Sequence, residues 1–72
     1  MKYKVYYGNG IDVRKMLCLN EFDTIAEADK YVEDNIYKHH KNVYYIQKTF
    51  ISDDCRWYDY GHYTKFYVVK GE

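Results

Sequence analysis

A chain of 72 residues is long enough for one small domain, and its 21% aromatic content offers a core despite many charges. Eleven basic and eleven acidic side chains give a formal net charge of zero, which argues against long-range attraction to nucleic acid or anionic lipid. No apolar run reaches the roughly twenty residues of a transmembrane helix, and residues 1–4 lack the apolar core of a signal peptide.

The first part of the chain predicts two strands joined by a tight turn. Apolar and polar residues alternate over residues 3–7, as in a half-buried strand. Asn9-Gly10 then forms the dipeptide most typical of a two-residue hairpin turn. We therefore expect the return strand to run from Ile11 to Leu19.

The middle of the chain predicts one amphipathic helix over residues 24–39. Thr24 and Glu27 have the spacing of a capping box, in which the threonine oxygen accepts from the Glu27 amide. The apolar residues that follow recur at helical spacing and form one stripe: Ile25, Ala28, Val32 and Ile36. Residues 23–37 also carry five acids and one lysine, so the outer surface of the helix is acidic.

The last part of the chain predicts strand structure rich in aromatic residues. Alternation over residues 42–52 indicates a third strand, and Ser52–Cys55 form a polar turn. Residues 56–70 follow as its hairpin partner and hold the single tryptophan. Because Gly61 lies in the middle, we expect two shorter pieces, 56–60 and 64–70, joined by a bend.

These elements predict a single α+β domain over residues 1–72. The expected architecture is an antiparallel sheet of about four strands in β-β-α-β-β order, with one helix packed on one face. The predicted core comprises Val5, Leu17, Leu19, Phe22, Ile25, Ala28, Val32, Ile36, Ile46, Phe50, Phe66 and Val68.

No residue pattern predicts a metal site. His39 and His40 near Asp34 suggest ligands, but adjacent helical residues point about 100° apart and do not share one face. We expect His39, which lies close to the apolar stripe, to pack or to cap the helix. The pair Asp53-Asp54 lacks the regular oxygen spacing of a calcium loop.

No pattern predicts catalysis or a bound cofactor either. His62 near Asp59 resembles half of an acid–base pair, but no nucleophile is placed beside it by a motif. The phosphate-loop and dinucleotide glycine patterns are both missing from the sequence. Cys18 and Cys55 are the only cysteines, and without a signal peptide we expect reduced thiols. The sequence therefore predicts a protein that is not an enzyme.

The tyrosines predict an interaction surface. A helix covers only one face of a sheet, so eleven tyrosines cannot all be buried beneath it, and exposed aromatic residues are typical of interfaces. A foreign protein, a second copy of the chain and a nucleotide or single-stranded nucleic acid all remain open as partners. The acidic helix also stays open as the working surface. The predicted contact residues are Arg56, Trp57, Tyr58, Tyr60, His62, Tyr63 and Lys65.

Two stretches are similar to known small proteins. Residues 22–28 followed by Tyr31 resemble the helix start of many small β-β-α proteins. Residues 57–66 resemble the W-x-D-Y-G-x-x-T-x-F endings of short uncharacterised proteins from phages and prophages of Gram-positive bacteria. This resemblance implies an accessory protein in the host cytoplasm that binds and inhibits a host protein. An anti-CRISPR protein, or another inhibitor of a defence nuclease, is the kind of protein it suggests.

Overall fold

The protein is an α+β domain in which one helix covers one face of a five-stranded antiparallel sheet. The computed structural model describes residues 2–9, 13–40, 43, 45–61 and 65–72. The predicted class is confirmed, but the sheet has one strand more than expected. The elements are β1 (Tyr3–Gly8), a short 3-10 helix (Val13–Lys15), β2 (Leu17–Phe22), α1 (Ile25–His39), β3 (Gln47–Ser52), β4 (Cys55–Asp59) and β5 (Phe66–Gly71).

The strand order in the sheet is β2-β1-β5-β4-β3, so the last strand of the chain lies at its centre. The first and last strands pair along their whole lengths, from Tyr3 opposite Gly71 to Gly8 opposite Phe66. Backbone hydrogen bonds between Lys2 and Glu72, at 2.9 and 2.7 Å, extend this pairing to the chain ends. The N-terminal hairpin and the C-terminal hairpin are therefore joined through β1 and β5.

The fifth strand arises because the aromatic stretch reverses direction rather than bends. β4 ends at Asp59 and β5 begins at Phe66, and the two strands pair antiparallel, with Trp57 opposite Val68. Gly61 lies in this connection with a φ of 94°, a conformation that favours glycine. Asp59 Oδ1 accepts a hydrogen bond from the Gly61 amide at 2.8 Å. The two predicted pieces are therefore neighbouring strands.

The first hairpin differs from the prediction because its connection is long. β1 ends at Gly8 and β2 begins only at Leu17, so the expected tight turn and early return strand are wrong. Val13 belongs to the 3-10 helix, whereas Gly10 and Ile11 lie outside the described residues. Met16 is buried directly against Gly8, where an added Cβ would lie 2.9 Å from Met16 Cγ. The glycine thus makes room for a side chain that closes this end of the sheet.

The helix prediction is confirmed at both ends. Thr24 is the N-cap and accepts a hydrogen bond from the Glu27 amide at 3.3 Å, as expected from the capping box. The Glu27 carboxylate accepts from the Thr24 hydroxyl at 2.9 Å. At the other end, the His40 amide donates to the Ile36 carbonyl at 3.0 Å. These local contacts explain why the bounds of the helix are predictable from the sequence.

The core between the helix and the sheet contains three tyrosines that the predicted core omitted. Four predicted members are fully buried there: Val5, Ala28, Val32 and Ile36. Leu19, Phe22, Ile25 and Ile46 pack around them, partly buried. Leu17 and Phe50, 65% and 64% exposed, were wrongly predicted as core residues. The remaining core residues are Tyr58, Tyr60, Tyr67 and Val69.

Candidate functional site

The face of the sheet opposite the helix carries a row of apolar side chains, which we call the open face: Tyr6, Trp57, Phe66 and Val68. Strand register places Tyr6 opposite Val68 and Val68 opposite Trp57, so the row crosses β1, β5 and β4. The rings of Trp57 and Phe66 are in contact, with centroids 4.6 Å apart. Val68 is buried, whereas the three aromatic residues around it are half-buried. The arrangement is a compact aromatic surface on a rigid sheet.

Charged side chains border one end of the open face. Glu72 lies between two lysines, with Oε2 3.2 Å from Lys4 Nζ and Oε1 3.9 Å from Lys70 Nζ. The Tyr6 hydroxyl also donates to Glu72, at 3.2 Å. The hydrogen bond from Lys4 lowers the pKa of the Glu72 carboxyl, and the same contact raises the pKa of Lys4. Much of the lysine charge is therefore balanced within the protein.

The five predicted contact residues that the structure describes do not form one continuous surface. Trp57 lies on the open face, and Lys65 is exposed just before β5. Tyr58 and Tyr60 are 0% and 4% exposed and belong to the core under the helix. Arg56 shares the helix side of β4 with Tyr58, because alternate residues of a strand share a face. His62 and Tyr63 lie outside the described residues. Whether any of the seven contacts a partner stays a prediction.

A second cluster lies beneath the C-terminal end of the helix, and we call it the tyrosine–histidine cluster: Tyr7, Asn35, His40, Tyr60 and Tyr67. The Tyr7 and Tyr60 hydroxyls are 2.9 Å apart, and the Tyr67 hydroxyl donates to Asn35 Oδ1 at 2.7 Å. His40 Nε2 lies 3.2 Å from the Tyr67 hydroxyl. The His40 ring also packs on Tyr60, with centroids 4.4 Å apart. This network fills the end of the core with polar atoms that are hydrogen-bonded to each other.

His40, rather than the predicted His39, is the histidine that packs against the sheet. His39 is exposed, whereas His40 is half-buried at the helix C-cap. The sequence signal was available, because the spacing of four residues from Val32 to Ile36 continues to His40.

We expect the tyrosine–histidine cluster to make the fold sensitive to alkali. Burial raises the pKa of Tyr60 and Tyr67 well above the ordinary value of 10.0, and the hydrogen bond between the Tyr60 and Tyr7 hydroxyls adds to the effect at Tyr60. The unfolded chain therefore ionises first, so stability is complete below about pH 10 and is lost as pH rises towards the folded pKa values. Each group contributes a slope of up to about 1.4 kcal/mol per pH unit.

Urea unfolding at about pH 8 and about pH 11 measures this effect. Tyr60→Phe should lose less of its free energy of unfolding between the two conditions than the unmodified protein. Tyr37→Phe is the matched control, because Tyr37 is 65% exposed. Equal losses in the two variants would contradict the assignment of the alkaline sensitivity to the buried phenol.

Several polar atoms near the β3–β4 end of the core have no hydrogen-bond partner among the described residues: Asp29 Oδ1, Arg56 Nε, Arg56 Nη1 and the Tyr58 hydroxyl. Asp29 Oδ2 is paired with Lys48 Nζ at 3.0 Å, and Arg56 stacks on Phe50 with Cζ 4.8 Å from the ring centroid. Unpaired buried polar atoms cost stability.

Side chains suited to metal binding are scattered in the part of the chain that the structure describes. No group of three or more histidine, cysteine, aspartate or glutamate residues is placed to hold a metal ion there. Cys18 and Cys55 are free thiols, and burial raises the pKa of Cys55. Over the same described residues, no helix combines the length and apolar character needed to cross a membrane.

No protein family matches this chain, and no match is found among curated proteins or solved structures. The resemblance of residues 57–66 to phage and prophage proteins therefore stays a prediction. Among the residues that the structure describes, the open face brings together three aromatic side chains outside the helix-covered core.

Proposed function

We propose that the chain is a non-enzymatic binding protein whose partner is another protein that docks on the open face. The observation that carries this proposal is the row of Tyr6, Trp57 and Phe66 on a sheet face that the helix does not cover. Tryptophan and tyrosine bring a large contact area at low entropic cost and are enriched among residues that dominate binding energy. A rigid sheet also holds them in place before binding, which lowers the cost of association.

The charges around the open face favour a protein over nucleic acid as the partner. A polymeric nucleic acid is held mainly by lysine and arginine contacts to successive phosphates. Here Lys4 and Lys70 share the carboxylate of Glu72, and the chain as a whole is neutral. A partner that covers aromatic rings and meets a rim where one glutamate offsets part of the charge of two lysines fits this surface better.

The specific form of the proposal comes from the resemblance to phage and prophage proteins. We propose that the protein acts stoichiometrically in a host cytoplasm by occluding a host protein, such as a CRISPR or other defence nuclease. The partner would lose activity because its surface is covered, so no catalytic residue of this chain is required.

Capture from a bacterial host lysate tests the proposal. The immobilised protein should retain one host protein in stoichiometric amount, and high salt should not release it. A Trp57→Ser bait should lose that protein, whereas a Tyr37→Ser bait should keep it, because Tyr37 is exposed on the helix and far from the open face.

Other results of the same experiment would redirect or contradict the proposal. Retention of nucleotide or nucleic acid without protein would favour the nucleic-acid hypothesis. Loss of the captured protein with Tyr37→Ser but not with Trp57→Ser would assign binding to the acidic helix, where Glu33 and Asp34 are exposed beside Tyr37.

A further inference from the structure

We propose that two copies of this chain associate through the edge of β3, antiparallel and about a two-fold axis, to form one ten-stranded sheet. This interface differs from the open face, so it does not depend on the proposed function. Three features favour this interface: the difference between the two edges of the sheet, the position of the helix and the symmetry of antiparallel strand pairing.

The two edge strands, β2 and β3, differ in their protection against pairing. Edge strands expose unpaired backbone groups, and proteins protect them with charges, bulges and local hydrogen bonds. In β2, Asn20 Oδ1 accepts from the Glu21 amide at 2.8 Å, and the pairing with β1 shifts register between Val5 and Tyr6. The exposed carboxylate of Glu21 adds charge to the same strand. The β2 edge is therefore less suited to pairing with a second copy.

The β3 edge also carries one charge and one register shift, but its charge is neutralised by the helix. Phe50 and Ile51 are 64% and 59% exposed. The one charged residue of the strand, Lys48, pairs with Asp29 at 3.0 Å on the helix side. The register shift of β3 falls between Phe50 and Ser52, which leaves Gln47–Phe50 in regular pairing with β4.

The position of the helix leaves a strip of the sheet uncovered beside this edge. The helix packs mainly on β1, β5 and β2, whereas β3 is held by its pairing with β4. Phe50 lies on this strip, between the Arg56 guanidinium at 4.8 Å and Lys48 Nζ at 5.9 Å from its ring centroid. An apolar ring held in place by its neighbours is a preorganised anchor for a partner.

A second copy is the occupant that fits best, because an antiparallel edge is complementary to itself. Residues directly opposite in such a pair point to the same face, so the two-fold axis must pass through a residue pair. With Thr49 opposite Thr49 of the other copy, Lys48 meets Phe50 on the helix side. The Lys48 ammonium group of the other copy then lies near each Phe50 ring. Neither β3 strand contains an acidic residue that this contact would leave without a partner.

The size of the contact predicts a weak dimer. β3 has six residues, and the uncovered strip adds few side chains, so the buried area falls at the low end of specific interfaces. We therefore expect a dissociation constant on the order of 10–100 μM. Small domains such as this 72-residue chain commonly add buried area to their core by forming oligomers.

Sedimentation equilibrium from about 10 μM to about 1 mM tests the interface. The unmodified protein should pass from monomer to dimer, and Phe50→Lys should raise the dissociation constant at least about ten-fold. Leu17→Lys is the matched control, since Leu17 is 65% exposed on the opposite edge and the charge change is the same. Circular dichroism of each variant confirms that it is folded.

Disulfide cross-linking tests the same interface in variants that keep Phe50. In a background of Cys18→Ser and Cys55→Ser, Thr49→Cys should oxidise to a covalent dimer, whereas Leu17→Cys should remain monomeric. A monomer at about 1 mM, or equal weakening by the two lysine variants, would overturn the proposal. Faster cross-linking through Leu17→Cys would also overturn it.

Discussion

Ile36→Ala should lower the free energy of unfolding by about 3 kcal/mol, because the change leaves a cavity at the centre of the core. Ile36 is fully buried in the last turns of the helix and faces the sheet together with Val32. A domain of 72 residues has a total stability of roughly 4–11 kcal/mol, so the loss is a large part of the whole. Urea unfolding, followed by the fluorescence of Trp57, measures the change.

The neighbouring residue supplies the control. Tyr37 is 65% exposed, and Tyr37→Ala should change the free energy of unfolding by no more than about 0.5 kcal/mol. The melting temperature of Ile36→Ala should fall by more than about 10 °C, since each kcal/mol shifts a domain of this size by several degrees. A loss below about 1 kcal/mol, or equal losses in both variants, would contradict the placement of the core.

Trp57→Ala should weaken binding of the captured partner about 30-fold or more, which corresponds to about 2 kcal/mol. The side chain lies at the β4 end of the open face, against Phe66 and opposite Val68. Tryptophan offers the largest contact area of the open face, and truncation of a tryptophan that a partner covers is among the most costly changes at an interface. Titration calorimetry with the purified partner measures the change.

Two controls separate lost contact from lost structure. Trp57 packs on Phe66, so its truncation also lowers stability, and each variant must be shown to be folded at the temperature of the titration. Trp57→Phe keeps a ring on the open face and should retain more affinity than Trp57→Ala. Unchanged affinity in a folded Trp57→Ala protein would exclude the open face as the binding surface.

The helix was predictable because its determinants are local. Thr24 and Glu27 define its start through contacts within one turn, and the repeated spacing of Ala28, Val32 and Ile36 identifies its buried side. The strands of the C-terminal part were also recognisable from their composition, and the predicted hairpin of β3 and β4 is confirmed. These features depend on residues close to each other in the chain.

The candidate site was predictable only in part. Trp57 was among the predicted contact residues and lies on the open face, but its neighbours there, Tyr6 and Val68, come from β1 and β5. The sequence-based contact set instead followed the chain and included Tyr58 and Tyr60, which the helix covers. A surface assembled across strands cannot be read from consecutive residues, because consecutive side chains in a strand point to opposite faces.

By itself, the sequence determined an α+β domain with one capped amphipathic helix and strands rich in tyrosine. Only the tertiary structure decided that the aromatic stretch makes two strands, that β5 lies between β1 and β4, and which tyrosines are buried. The physical reason is that side chains alternate between the two faces of a strand, and this alternation does not indicate which face the helix covers. That choice depends on register and on the position of the helix, and both are set by contacts between residues distant in the chain.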